Sequence, residues 1–195
     1  NACKVTLKIF KHQKTPRKMI KLMSILSSVL VFLIACSVKT KGQSCRPTGY
    51  FRAASPPQGQ CTSNCCVGGT VYFTFQCSPT VTTQTTGILA LRTFQKAPAK
   101  CDNAYHSDDT PVVALSTGWY AGGSRCGKGI VVNWNGKSVK AKVVDECDST
   151  KGCDAEEGYH PPCGYNIVAA SKAVWKALGV PQSQWGQLNI TWSDA

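Results

Sequence analysis

The cysteines that follow residue 42 constrain the fold of this chain more than any other feature of its sequence. They number ten, with five in each of two regions: Cys45, Cys61, Cys65, Cys66 and Cys77, then Cys101, Cys126, Cys147, Cys153 and Cys163. An even number of cysteines in an exported chain indicates a framework of five disulfide bonds. Because each region holds an odd number, full pairing requires at least one bond between them. We therefore expect the two regions to be tied covalently into one body.

An apolar segment near the N-terminus predicts export. Met19-Ile20-Lys21 leads into an apolar run from Leu22 to Ala35, and a further small residue stands at Ser37. Such a pattern is typical of a secretory signal peptide, with cleavage expected between residues 37 and 43. The run is shorter than the roughly 20 residues that span a bilayer. We interpret residues 1–18 as sequence upstream of an initiator Met19, or as a long basic leader, and expect a secreted protein without a membrane segment.

The basicity of the chain lies mostly in this leader. The whole sequence carries 22 Lys and Arg against 10 Asp and Glu, a formal net charge of +12. Residues 1–42 hold nine of the basic residues and none of the acidic ones, which leaves 13 basic and 10 acidic residues in 43–195. So small an excess does not predict nucleic-acid binding, and aromatic residues do not alternate with basic runs. No nucleotide-binding motif is present, so we expect no cofactor.

The set of residues nearest to a zinc site consists of Cys147, Cys153, His160 and Cys163. Zinc requires thiolates, which oxidise in the secretory pathway, and these spacings match no paired C-x2-C framework. We therefore expect disulfide bonds at these cysteines and no metal.

The sequence divides into three parts. Residues 1–42 form the leader, residues 43–86 a cysteine-rich N-terminal module with a threonine-rich linker, and residues 87–195 a β-rich domain. The N-terminal module is too small to bury enough apolar surface and should depend on its disulfides. In the β-rich domain, strand-like runs recur at residues 88–94, 111–116, 130–134, 138–144 and 188–192.

Two local patterns predict how this domain is built. Asn135-Gly136 lies between two strand-like runs and predicts a type I′ hairpin. In its second arm Val139, Ala141 and Val143 alternate with lysines, which places one face of the strand in the core.

One helix is predicted, from a cap at Asn166 to a stop at Gly179. Trp175 lies near its apolar face, and Trp192 is in phase with the apolar face of the last strand, so both should be buried. Six or so short strands with one or two short helices predict a small, mainly β, closed barrel.

Several acidic residues lie in loops, where catalytic carboxylates are commonly presented. Asp145 and Asp148 follow a predicted strand, and Asp108 and Asp109 follow His106. Glycan hydrolysis would need two carboxylates roughly 5–9.5 Å apart, and His106 with an acidic partner would suit a general base. The alternative, which we favour, is that Asp145 and Asp109 accept backbone N–H bonds, Asp148 caps a turn and His106 is a structural donor.

Two further features are candidates for binding and modification. Trp119-Tyr120 precedes a glycine-rich loop, which favours exposure, and an exposed aromatic pair can stack on a sugar or anchor a protein partner. Plain packing is the alternative for this pair. Asn189-Ile190-Thr191 is an N-glycosylation sequon, although its place in a predicted strand could limit access.

Five stretches of the sequence together carry a family resemblance: Ser44-Cys45-Arg46-Pro47-Thr48-Gly49, the vicinal Cys65-Cys66, residues 101–119, residues 143–150 and Ile190-Thr191-Trp192-Ser193-Asp194. They resemble kiwellin, a family of ripening-related, cysteine-rich plant proteins, over essentially all of residues 43–195. The resemblance implies a six-stranded double-psi β-barrel with a small disulfide-rich N-terminal extension, an apoplastic location and a role in plant defence. Some family members bind and inhibit a chorismate mutase that a fungal pathogen secretes, so a pathogen effector is the implied partner.

The barrel is also similar to the first domain of expansins and to barwin-type proteins, chiefly through Ala114-Leu115-Ser116-Thr117 and Cys126-Gly127. In expansin-like barrels an aspartate stands where the chain enters the last helix, and here the matching residue is Ala169. Because alanine cannot transfer a proton, the resemblance implies that half of a two-carboxylate site is missing.

We therefore expect a non-enzymatic, monomeric defence protein that recognises another protein through the loops holding the residues singled out above. Rigid, disulfide-held loops lose little entropy on binding, which suits an inhibitor. A second hypothesis is an expansin-like module that binds or loosens cell-wall polysaccharide. A third is a storage or purely structural protein of the apoplast.

Overall fold

The computed structural model describes residues 45–195, and they form eight strands and two short α-helices. The strands are β1 (Gly49–Arg52), β2 (Val71–Thr74), β3 (Thr85–Leu91), β4 (Val112–Ser116), β5 (Gly129–Trp134), β6 (Lys137–Cys147), β7 (Ile167–Ala170) and β8 (Gln187–Asp194). The helices are α1 (Thr117–Tyr120) and α2 (Lys172–Leu178), and two short 3-10 turns cover Ala121–Gly123 and Gln182–Gln184.

Six of the strands close into a barrel in the order β3-β7-β4-β6-β5-β8. Strand β8 pairs with both β3 and β5 and so completes the ring. Neighbouring strands are antiparallel except for the pairs β3–β7 and β4–β6, which run parallel. This closed, mainly β architecture confirms the predicted barrel fold.

The barrel interior is filled by aromatic and branched side chains. Trp119 and Trp192 meet edge to face with ring centroids 4.9 Å apart, and Trp175, a residue of α2, is fully buried. The predicted burial of Trp175 and Trp192 is confirmed. A second, smaller apolar cluster lies around β4 and β7: Phe94, Ala99, Val112, Ala114, Val144, Ile167 and Ala169.

The β5–β6 hairpin forms as its sequence predicts. Asn135 and Gly136 both have positive φ, 46° and 75°, as a type I′ turn requires. Val139, Ala141 and Val143 are buried, whereas the lysines between them are exposed. The alternation therefore sets which face of β6 points into the barrel.

The prediction of a helix beginning at Asn166 is wrong over its first residues. Ile167–Ala170 form strand β7, which pairs with β3 on one side and β4 on the other, and α2 begins only at Lys172 after Ser171. All four residues of β7 are buried. An unbroken apolar run fits a strand with both faces covered as well as it fits a buried helix, so its periodicity could not distinguish the two. The predicted stop is correct, since Gly179 has a φ of 72°.

The N-terminal region contains a two-stranded antiparallel sheet, β1–β2, in which Gly49 pairs with Thr74 and Arg52 with Val71. Cys45–Cys77 brackets this sheet, and Cys61–Cys65 closes a small loop within it. Cys101–Cys126 and Cys147–Cys163 lie in the second region. Cys66–Cys153 joins the two regions, which confirms the bond that the odd numbers of cysteines require.

Candidate functional site

Asp145 lies near the end of β6 with its side chain almost completely buried. Its Oδ2 accepts a hydrogen bond from Arg92 Nη2 at 2.6 Å, and its Oδ1 accepts bonds from the backbone N–H groups of Lys100 and Glu146 at 2.9 and 2.8 Å. The carboxylate is therefore held by three donors, as the structural alternative for this residue predicts.

Glu146, the next residue, is also nearly buried and fully engaged. It pairs with the Lys100 ammonium through Oε2 and accepts a hydrogen bond from Thr117 Oγ1 at 2.7 Å through Oε1. The hydrogen bond to Glu146 raises the pKa of Lys100 above its usual value. Lys100 also lies over the Tyr120 ring at 5.8 Å, and burial raises the pKa of the Tyr120 phenol. These groups form one connected network of an ion pair, a hydrogen bond and a cation–π contact.

His106 and Asp108 organise the loop between β3 and β4. His106 Nε2 lies 3.1 Å from Asp102 Oδ1, and this hydrogen bond lowers the pKa of Asp102. Asp108 is buried, and its Oδ1 accepts the backbone N–H of Phe94 at 2.9 Å. The acidic partner of the histidine is therefore Asp102 rather than either of the acids that follow it. Both His106 and Asp108 shape the loop.

The two remaining acidic candidates behave differently from each other. Asp148 Oδ1 accepts hydrogen bonds from the backbone N–H and hydroxyl of Thr150 at 2.7 and 2.6 Å, which caps a turn. Asp109 is exposed and pairs with Lys176 of α2 at 3.1 Å. The expectation that Asp109 accepts a backbone N–H is wrong, because its side chain points outward from the loop to the helix surface.

The expectation that Trp119 and Tyr120 are exposed is also wrong. Trp119 is 1% exposed, and its indole N–H donates to the Pro79 carbonyl at 2.8 Å. Tyr120 is buried as well. The residue before the pair, Gly118, lies so close to the backbone of Cys77 and Ser78 that it has no room for a side chain. The chain that leaves the N-terminal region therefore covers α1 and hides the aromatic pair.

Ala169 does not lie at the start of the last helix but inside β7. It pairs with Ala114 of β4, which in turn pairs with Asp145 of β6, so Ala169 and Asp145 lie in one row of the barrel two strands apart. The surroundings of Ala169 are apolar and include Phe94 and Val144. This position therefore supplies no second carboxylate beside Asp145.

The three cysteines of the possible zinc site form disulfide bonds. Cys147 is bonded to Cys163 and Cys153 to Cys66, so these three sulfurs cannot act as thiolates. Within residues 45–195 no group of three or more His, Cys, Asp or Glu is arranged to hold a metal ion.

The described acids near β6 are thus held by ion pairs and hydrogen bonds within the protein. Sequence reasoning misses Arg92 and Lys100, which neutralise Asp145 and Glu146, because the partners are 53 and 46 residues apart and follow no local pattern. The sequence signal that could have indicated these basic partners is the run of adjacent acids, Asp145-Glu146, beside a loop held by a disulfide bond.

Residues 19–195 match the family described as Kiwellin-1. The chain belongs to the kiwellin family. The kiwellin of Actinidia chinensis var. chinensis is 49% identical over 151 residues, which cover 72% of this chain and 70% of that protein. Ripening-related protein grip22 of Vitis vinifera is 48% identical over 149 residues, which cover 72% of this chain and 67% of that protein.

Among solved structures, the apo form of an expansin from Clavibacter michiganensis aligns with a TM-score of 0.44 and 20% identity. The alignment covers 57% of this kiwellin-family chain and 50% of the expansin. A likeness of this size carries no functional argument. Neither helix in the described range has the length and apolar character needed to cross a membrane.

Two aromatic side chains are exposed together on the β1–β2 sheet of this kiwellin-family chain. Tyr50 and Phe73 are opposite each other in the strand register, with ring centroids 6.5 Å apart, and are 73% and 55% exposed. Nearby Val67 and Val71 are exposed too. Between residues 45 and 77 the sequence has two arginines and no acidic residue. The sequence predicted the exposed aromatic pair at Trp119-Tyr120 instead, and that pair is buried.

Proposed function

We propose that this kiwellin-family chain is a secreted plant defence protein of the apoplast that binds and inhibits a protein secreted by a pathogen. The exposed cross-strand pair of Tyr50 and Phe73 carries the proposal. Large aromatic side chains at rigid positions supply much of the binding energy of protein interfaces. The bracketing Cys45–Cys77 bond limits the motion of the sheet, so binding would cost little conformational entropy.

The positive charge of residues 45–77 favours a partner with an acidic surface. Arg46 and Arg52 lie on either side of Tyr50 in the sequence, and residues 45–77 contain no acidic residue. A surface of this kind is complementary to a partner that presents an apolar patch with an acidic rim. The family resemblance, with its inhibitors of a fungal chorismate mutase, supports the same class of role.

We further propose that the protein has no enzymatic activity. The state of Asp145, which three donors hold, and the apolar surroundings of Ala169 support this. Two carboxylates, one ionised and one protonated, are the minimum for glycan hydrolysis by the common mechanism. Steady release of sugars from plant or fungal wall polysaccharides, abolished in Asp145→Asn, would contradict the proposal.

Capture of a partner from a pathogen secretome tests the binding role. The secreted full chain is immobilised and compared with Tyr50→Ser/Phe73→Ser, which should lose roughly 30-fold in affinity or more if the pair contributes at least 2 kcal/mol. Tyr105→Ser is the matched control, because it removes a similarly exposed aromatic residue from another loop. Equal capture by the pair variant, or capture of no pathogen protein at all, would overturn the assignment.

The expansin-like alternative remains open to a direct test. Trp119 and Tyr120, which motivated it, are buried, so the contacts described above do not favour it. Retention of the protein on cellulose, chitin or pectin would support a wall-binding role, and its absence on all three would remove that class.

A further inference from the structure

A groove on the outer surface of the barrel brings an N-glycosylation sequon together with side chains suited to binding sugars. It encloses about 820 Å³ and follows β8 between the start of β3 and the β5–β6 turn. This volume lies within the range of small-molecule sites in proteins. The groove lies at the start of β6, whereas Asp145 and Glu146 lie near the end of that strand.

Four strands contribute one row of polar side chains to the groove. Thr191 of β8 pairs with Thr86 of β3 on one side and with Asn133 of β5 on the other. Asn133 pairs in turn with Ser138 of β6, whose hydroxyl donates to Asn133 Oδ1 at 2.6 Å. Because the register aligns these residues, hydroxyl and amide groups form a continuous band across the barrel wall.

The chemistry of the groove suits a neutral, polyhydroxylated ligand. None of the residues that line it is acidic, and its lysine, Lys137, directs its ammonium group to Gly179 at the C-terminal end of α2. Amides and hydroxyls both donate and accept hydrogen bonds, as sugar hydroxyls do. The half-buried Trp134 adds an aromatic surface for the apolar face of a sugar ring.

The sequon offers an attachment site for a sugar at this place. Asn189 is exposed, and it lies two residues before Thr191, so both side chains project from the outer face of β8 while Ile190 points into the core. We propose that Asn189 carries an N-linked glycan and that the first sugar residues of this glycan lie in the groove against Trp134 and the polar row. The proposal rests on the proposed function only for secretion, and it needs no pathogen partner.

The glycosylated fraction of Asn189 and the docking of its glycan in the groove are measured separately. The full chain is recovered from the medium of a eukaryotic secretory host, and peptide mass spectrometry determines the fraction of Asn189 that is glycosylated. The native protein is then treated with peptide:N-glycosidase. We expect Asn189 to be glycosylated and its glycan to be released about tenfold more slowly than a freely mobile glycan, as protection by docking requires.

The matched control moves the glycan to an open loop. Asn189→Gln removes the natural sequon, and Tyr105→Thr in the same chain creates one at the exposed Asn103. Trp134→Ala and the milder Thr86→Val should each speed release from Asn189 toward the control rate without changing occupancy. An unmodified Asn189, or equal release rates at the two positions, would overturn the proposal.

A final arm distinguishes an attached sugar from a free one. Free chitobiose is titrated into Asn189→Gln and into the glycosylated chain, with tryptophan fluorescence as the readout. We expect a response in Asn189→Gln alone, because the attached glycan fills the groove in the natural chain. A response in both proteins would overturn the attached glycan as occupant and identify the groove as a site for free saccharide.

Discussion

Glu157 is a carboxyl group whose ionisation is opposed by folding. Burial raises its pKa above the ordinary 4.5, and the neighbouring charges of Asp148 and Asp154 raise it further. An acid with a raised pKa binds more protons in the folded state than in the unfolded state. Stability therefore falls as pH rises from the ordinary carboxyl pKa through the raised one, and the loss remains at neutral pH.

Replacing this carboxyl group should stabilise the protein in a pH-dependent way. We expect Glu157→Gln to melt at a higher temperature than the natural chain at pH 7 and to lose this advantage by about pH 3.5, where carboxyl groups are largely protonated. Thermal unfolding at both pH values provides the measurement. Glu156→Gln is the control, because Glu156 is 83% exposed and should show no such dependence. An equal gain for Glu157→Gln at both pH values would refute the explanation.

The burial of individual tryptophans marks a limit of sequence reasoning. Trp192 is in phase with the apolar face of a strand, so its burial follows from periodicity. Trp119 lies in a helix of four residues, which is too short to show a period. Its burial depends on Pro79 and Trp192, which are far away in the sequence. Only the tertiary fold decides whether such a residue is covered.

At the scale of single elements, the need for glycine in the turn between β5 and β6 comes from backbone conformation and not from lack of space. Gly136 has a φ of 75°, and a side-chain carbon added there would meet no atom within 4 Å. Gly136→Ala should therefore cost about 1–2 kcal/mol of unfolding free energy through backbone strain without any steric clash. Denaturant unfolding measures this cost. Gly136→Asn, which tolerates the left-handed region better, should recover part of it, and equal losses for both variants would contradict the argument.

The elements of this fold that depend on neighbouring residues could be predicted from the sequence, whereas those that depend on distant residues could not. The β5–β6 hairpin is encoded by two turn residues and the strand pattern that follows them. Strand β7 is different, because its four apolar residues become a strand only by pairing with β3 and β4. The same distinction separates Asp148, whose partner is two residues away, from Asp145, whose arginine is 53 residues away. The site was therefore less predictable than the barrel.

For the whole molecule, the bond between Cys66 and Cys153 should contribute more stability than any local bond. It joins residues 87 apart, whereas Cys61–Cys65 joins residues 4 apart. Loop-closure entropy gives about 4–5 kcal/mol for the first bond and about 2 kcal/mol for the second. Cys66→Ala/Cys153→Ala should thus lose roughly twice as much unfolding free energy as Cys61→Ala/Cys65→Ala. Denaturant unfolding without reductant tests this, and equal losses would refute it.

Counting cysteines was enough to require a bond between the two regions, but it could not identify which residues form it. Cys65 and Cys66 are adjacent in sequence and bond in opposite directions, Cys65 to Cys61 and Cys66 to Cys153. Exchanging their partners would lengthen each loop by one residue, so the two covalent isomers have almost equal chain entropy.

The preference for one of these isomers must therefore come from packing. Cys66 is 3% exposed, and its backbone N–H donates to the Tyr159 carbonyl at 2.9 Å, whereas Cys65 is only half-buried. We expect the same contact to form in the reduced chain and to direct the correct oxidation at this pair. An oxidising compartment that forms bonds faster than this contact is made would trap the wrong isomer, and maturation would then depend on a disulfide isomerase.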